Sequence, residues 1–329
     1  MNRSIRLGVT VLLLLGALLA GLCLGSETYA PAQVWQVFAG RSGGGPDLMI
    51  LSQLRLPRVI LAAMVGILLA AAGASFQGLL RNDLADPYTV GVSSGAAVGA
   101  AGMVLAHREA WLGGYGVPAA AFGCGLIATL IVMAVARRDN RLRVTVFLLG
   151  GIVISSFLWS IVTLMMTFAG SDLSRVLFWL MGSFGDADWS RVRLLIPLVI
   201  IALIGLRTVA YALNTFALGE ESARRLGVDV ERVKWAAIAL ATLCTAAAVS
   251  VSGIIGFAGL IVPHAARRLF GADNRSLVLS SALLGSLLMV FADTMARTVA
   301  RPSEIPVGVI TALIGSPVFL TLLRREAQE

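Results

Sequence analysis

Apolar residues run through this chain in long stretches separated by short polar breaks. The stretches fall at 7–24, 57–80, 88–106, 117–136, 144–169, 194–213, 233–252, 254–265, 277–299 and 306–323. Most approach the roughly 20 residues that a helix needs to cross a hydrocarbon core. The pattern predicts ten membrane-spanning helices. The weakest separation lies at Ser252–Gly253, and the stretch after it is too short to span alone. One long helix is the alternative there, and basic residues choose between the two. With ten spans and the N-terminus inside, 17 Lys and Arg fall on the cytosolic side and 9 outside. Merging the two stretches sends Arg267–Arg275 and Arg324–Arg325 outside and weakens the positive-inside bias.

Proline marks where spans begin. Pro57, Pro87, Pro118 and Pro306 each sit near a first turn, where the missing N–H costs little. Residues Ala32–Phe38 predict a short helix lying at the membrane surface. The first stretch, behind Arg3 and Arg6, reads as a retained helix, with a cleaved signal peptide as its rival.

One polar interruption has a helix of its own. Leu218–Lys234, LGEESARRLGVDVERVK, holds eight charged residues in a chain that is 13% charged. Gly219 opens it, Glu220 and Glu221 suit the positive end of a helix dipole, Arg224 and Arg225 suit the negative end, and Gly227 stops it. Ala223 and Leu226 form its small apolar face. Such a helix between two spans suits a partner in water; a merely solvated loop helix is the plainer reading.

Composition agrees with the membrane class. The chain has 329 residues, 58% of them hydrophobic, and a mean hydropathy of +0.88. No stretch leaves room for a soluble domain, so residues 1–329 read as a single transmembrane domain. The net charge of +8 comes from bases in short loops, not from a nucleic-acid groove. Cys23, Cys124 and Cys244 lie in apolar stretches without disulfide or metal spacing.

The missing chemistry narrows the function. The chain has one lysine, Lys234, so it cannot carry the Gly-x-x-x-x-Gly-Lys phosphate loop of an ATPase. His107 and His264 are predicted on opposite sides of the membrane, and no metal or catalytic set assembles around either. Asp293 is the one acid placed within a span, where an ion-driven carrier would need several. It also stands four residues before Arg297, on the same helix face, as an ion pair would. What remains is a path across the membrane without its own energy source, which suggests an ATPase in a separate chain. A stand-alone ion-coupled carrier is the alternative, and a membrane-embedded enzyme has the least support.

Three segments carry a resemblance. They are LRLPRVILAAMVGILLAAAGASFQGLLRNDLADPYTVGVSSGAAVGA at 54–100, ALGEESARRLGVDVERVK at 217–234, and GFAGLIVPHAARRLFGADNR at 256–275, followed by ADTMAR and EIPVGVITALIGSPVFLTLLRR. Together they resemble the FecCD-type permeases of type II ABC importers for iron–siderophores, haem and vitamin B12. The resemblance implies an all-α subunit of about ten spans in the bacterial inner membrane, with both termini cytosolic. It pairs with a second copy or a sister permease, two cytosolic ATPases that hold ATP and Mg, and a periplasmic binding protein. No cofactor or metal is expected on the chain itself.

The resemblance also assigns residues. Arg55, Arg58 and Arg297 would receive carboxylates of the binding protein, which suits planar, bidentate guanidinium. Without the resemblance they read as arginines reaching to headgroups. Gly219, Glu220, Glu221, Ala223, Arg224, Arg225, Leu226 and Gly227 would form the coupling helix seated in the ATPase. Asn82 and Leu84, with Val144 and Thr145, would lie near a cytosolic gate. Asp83 stands where the family commonly has proline, which implies a less rigid, more acidic turn. Leu158, Thr163, Met165, Met166, Thr167 and Phe168 would line the path, with Arg175 at its outer mouth. Ordinary helix packing competes for each of these last residues taken singly.

Overall fold

The computed structural model describes residues 3–40, 45–139, 141–217 and 219–326. In chain order the helices are α1 (Arg3–Cys23), α2 (Pro31–Phe38), α3 (Pro46–Met49), α4 (Leu56–Leu80), α5 (Val92–Leu105), the single turn α6 (Trp111–Gly114), α7 (Gly116–Ala136), α8 (Val144–Thr167), α9 (Leu173–Leu180), α10 (Trp189–Phe216), α11 (Glu220–Arg225), α12 (Val230–Ser252), α13 (Ala258–Phe270), α14 (Asn274–Thr298) and α15 (Val307–Glu326). Ten of them, α1, α4, α5, α7, α8, α10 and α12–α15, match the ten predicted spans. Among the described residues seven have the length and apolarity to cross a bilayer alone; α5, α13 and the apolar stretch Val307–Thr321 of α15 are shorter.

The doubtful separation is real. Gly253, at φ +70°, ends α12, and Phe257, at φ +67°, starts α13. A Cβ on Gly253 would stand 2.1 Å from the Trp179 carbonyl oxygen, so only glycine fits. The irregular backbone finds partners. Ser183 N–H donates to Ser252 O at 2.8 Å, Val307 N–H to Gly182 O at 2.9 Å, and the Tyr88 hydroxyl to Ile255 O at 3.0 Å. Non-helical backbone survives inside a membrane protein under this condition.

Helix α4 is the hub. It is almost wholly buried and packs on α10, α12, α13 and α14. Apolar side chains gain little from leaving lipid for protein, so close backbone approach must hold such helices together. A Cβ on Gly66 would lie 2.2 Å from Gly285 O, and one on Gly73 would lie 1.8 Å from Gly259 O. Beside the hub, α5 packs on α7. Asp188, Asp229 and Asp273 cap α10, α12 and α14 through their carboxylates, at 2.7, 3.2 and 3.2 Å.

Four details depart from expectation. Pro57 sits in the first turn of α4 as expected, but helical backbone precedes it. The chain is helical from Pro46, and the π-turn Ile50–Arg55, with its Leu56 N–H to Leu51 O bond, leads directly into α4. Pro87 opens a 3₁₀ turn, Pro87–Val90, instead of α5 itself. The eighth span starts at Ala258 instead of 254. The fold is also not purely helical, because Arg137–Arg138 (β1) pairs antiparallel with Arg141–Leu142 (β2) in a small ribbon. Four charged residues in six hid that ribbon from any hydrophobic pattern.

Candidate functional site

At the end of the bundle where α4 begins, Arg55, Arg58 and Arg297 come together around a cavity of about 200 Å³. Each is already engaged. Arg55 is 6% exposed. Its guanidinium donates to Leu22 O at 2.8 Å, to Cys23 O at 3.2 Å and to Glu27 O, and it stacks 4.8 Å from the Tyr29 ring centroid. It therefore closes the carbonyl-bearing end of α1. Burial, with a hydrogen bond to Asp47, pushes the Tyr29 phenol above its ordinary pKa. Arg297 is 5% exposed and donates to Gly21 O at 3.1 Å. Between Arg58 and Arg297 sits Asp293, 1% exposed, at 2.9 and 3.0 Å from the two guanidiniums. Arg58 also grips the exposed Glu304 through two parallel bonds of 3.1 and 2.9 Å. Of the three arginines, only Arg58 pairs with a carboxylate that stands open to solvent.

Arg175 belongs to a neighbouring site at the same end. It pairs with Glu109 at 2.6 Å and Asp172 at 3.3 Å, and His107 lies 3.6 Å from Asp172. With Trp179, Asp186, Arg191 and Gly253 it lines a cavity of about 440 Å³. The proposed path residues divide into two groups. Helix α8 is mostly uncovered, and Phe168, 78% exposed, stands at its C-terminal end. Ser156, Ser160, Thr163 and Thr167 place hydroxyls at spacings of four, three and four, all exposed and each bonded to the carbonyl four residues back. Leu158 is half-buried, while Met165 and Met166 pack inward against Ala101, Val104 and Val176.

At the opposite end, Asn82 organises the turn after α4 by accepting the Leu84 N–H at 2.8 Å. Asp83 reaches across to α13, with Arg267 Nε at 3.4 Å and His264 Nδ1 at 3.7 Å. A proline at 83 could make neither contact. Val144 and Thr145 lie in another place, at the first turn of α8, on the wall of an 840 Å³ cavity that Asn82 and Leu84 do not line.

Helix α11 forms as its sequence predicts. Gly227 N–H bonds Arg224 O at 3.0 Å and Val228 N–H bonds Ala223 O at 3.1 Å, the paired bonds of a Schellman stop. Gly219 and Gly227 have φ of +95° and +83°. The expected apolar face is split, because Ala223 is buried and Leu226 is 62% exposed. Leu218 lies outside the described residues. Sequence reasoning missed three partnerships: Glu304 with Arg58, Asp83 with α13, and Lys234 with α11. Each pairs a loop or helix end with a distant element. Among the described residues, no group of three or more His, Cys, Asp or Glu is placed to hold a metal.

Ten packed helices, broken backbone at a bonded junction and a polar helix outside the bundle define a multi-pass membrane permease. The sequence model of the FecCD transport family matches residues 12–325, and the chain belongs to that family. It is 40% identical to an uncharacterized ABC transporter permease protein, YvrB of Bacillus subtilis, over 94% of this chain and 90% of that one. It is 44% identical to the cobalamin import system permease BtuC of Halobacterium salinarum, over 84% and 73% of the two chains. A solved structure described as an inward-facing conformation of a putative metal-chelate type ABC transporter superposes with a TM-score of 0.86 at 29% identity, covering 98% of this chain and all of that one.

Proposed function

We propose that this chain is the permease subunit of an importer that moves a metal chelate into the cytosol, driven by ATP hydrolysis in partner chains. The observation that carries this reading is α11. It is a six-residue polar helix, stopped by glycine on both sides, on a chain with no phosphate loop of its own. Membership of a transport family with ABC permeases among its members supplies the partner. In this reading the α11 end and both termini face the cytosol, and the Arg58 end faces the periplasm. The uncovered, hydroxyl-bearing face of α8 meets a second permease copy across the path. A ferric siderophore is the first cargo to test, with haem and cobalamin as competitors.

The test is co-expression with an ATPase and binding protein encoded beside it, followed by uptake of labelled ferric siderophore, haem and cobalamin in a deletion strain. ATP-dependent uptake of one chelate is the expected result. Uptake that survives loss of the ATPase and collapses with the proton gradient would favour the ion-coupled carrier and overturn the proposal.

Docking of the binding protein falls to Arg58, the one of the three that pairs with an exposed carboxylate, because Arg55 and Arg297 are buried. Glu304 then occupies the place that a partner carboxylate would take. Glu304→Gln should tighten binding of the loaded binding protein by about fivefold or more, within the usual range for charge pairs at interfaces. The exposed Glu27, changed to Gln as a control for net charge, should do less. Equal effects from the two variants would remove Arg58 from the docking surface.

A further inference from the structure

The chain's only lysine is also one of its most deeply placed charges. Lys234 sits in the first turns of α12 with its side chain 4% exposed. Its ammonium has three protons to donate, and three elements receive them. Glu220 of α11 accepts at 2.8 Å, Glu231 of α12 at 3.4 Å, and the backbone oxygen of Leu142 in β2 at 3.4 Å. The other Glu231 oxygen accepts the Leu142 N–H at 2.7 Å. Both peptide groups of Leu142 are thus held by one ion pair.

Leu142 is two residues before α8. Its side chain is buried in the main core, Arg143 O accepts the Phe147 N–H at 2.9 Å, and Phe147 is buried too. Any displacement of Leu142 therefore reaches Val144 and Thr145 through a short, packed path. Helix α11, in contrast, buries only Ala223, so apolar contact does little to hold it. Arg224 adds longer contacts of 3.8 Å to Glu220 and 3.7 Å to Glu231. The buried ammonium would be left unpaired if the cluster opened, and its partners also saturate the backbone groups of Leu142, so the cluster moves as a unit instead of sliding. The 840 Å³ cavity beside it, lined by Arg138, Arg143, Val144 and Thr145, leaves the ribbon and the start of α8 space to shift.

We propose that Lys234 and Glu231 are positioning residues that clamp α11 to Leu142 and so transmit its movement to the first turn of α8. This rests on reading α11 as the ATPase contact. Without the clamp, α11 still seats in its partner, but its motion no longer reaches Val144 and Thr145.

The test uses the full permease with its ATPase and binding protein in proteoliposomes, comparing Lys234→Met, Glu220→Gln and Arg232→Gln. The readouts are ATP hydrolysis, uptake per ATP hydrolysed, and the response of a spin label at Thr145 to ATP. Glu220→Gln weakens the clamp from its accessible side and leaves Lys234 paired with Glu231 and Leu142, so it tests the link even if Lys234→Met fails to fold. Arg232 is almost fully exposed, pairs with Asp229 and touches none of the clamp, so its variant should behave as wild type. The expected result for both clamp variants is continued hydrolysis, a drop of about tenfold in uptake per ATP, and a silent label at Thr145. Wild-type uptake per ATP and a responsive label in Glu220→Gln would overturn the clamp while leaving the ATPase reading intact. A wild-type chain that assembles with no ATPase would overturn that reading and the clamp with it.

Discussion

Gly73→Ala should destabilise the fold severely and lower its melting temperature. The added Cβ would fall 1.8 Å from Gly259 O, 2.6 Å from its carbonyl carbon and 2.9 Å from its Cα. All three are backbone atoms, so no rotamer change relieves the clash. Helix α13 must move instead, and Gly259 has little free space around it, since a Cβ built there would stand 2.9 Å from Pro87 and 3.2 Å from the Leu69 oxygen. Overpacking of this kind costs about 3 kcal/mol or more, a large part of ordinary folding stability. Gly66→Ala should behave similarly against Gly285. Gly123→Ala should do the opposite, because its Cβ would meet nothing within 4 Å. Replacing a helical glycine there gains about 0.5–1 kcal/mol. Thermal unfolding and size-exclusion profiles in detergent will separate the three. A wild-type melting temperature for Gly73→Ala would show that α4 and α13 are not in contact at this point.

Asp293→Ala should be nearly as damaging, for an electrostatic reason. Among the described residues Asp293 is the only carboxylate within 4 Å of Arg297, and it shares Arg58 with Glu304. Its loss strands a buried guanidinium and lets Arg58 and Arg297 repel each other. Breaking a buried pair by removing one partner costs about 3–5 kcal/mol. The double change Asp293→Leu with Arg297→Met removes both charges together and should recover much of that loss, since apolar replacement of a whole pair is often neutral. The comparison also settles the role of the one acid within a span. If Asp293 relayed protons or ions, Asp293→Ala would keep a normal melting temperature and lose only transport. A destabilised variant rescued by the double change identifies a structural ion pair.

The legible part of the site was its local part. Glu220, Glu221, Arg224, Arg225 and Gly227 lie within eight residues, and the forces that make them a helix act over one or two turns. Neighbouring residues alone were enough to place that helix and its stop. Asp293 and Arg297 were legible for the same reason, being one helical turn apart. Arg55 was not. Its position beside Arg58 suggested a surface charge, but its guanidinium turns inward to the carbonyls of Leu22, Cys23 and Glu27, about thirty residues back in the chain. Nothing in LRLPR shows which way that side chain points. Asp83 shows both sides of the matter. The sequence marks it as a departure from the family pattern, but only the packing of α13 against α4 reveals Arg267 and His264 as its partners.

The sequence by itself determined the ten spans, the orientation bias of their loops, the break at Gly253 and the short polar helix α11. Each follows from hydrophobic length, charge or the dihedral freedom of a few adjacent residues. The tertiary structure alone decided which arginines are buried, that two short strands join α7 to α8, that Met165 and Met166 face inward, and that Lys234 ties α11 to Leu142. For the arginines and the lysine the physical reason is the same. An ionised side chain is stable wherever it finds a complementary group, in water or inside the protein, and that group is brought within reach by folding, not by the order of residues in the chain.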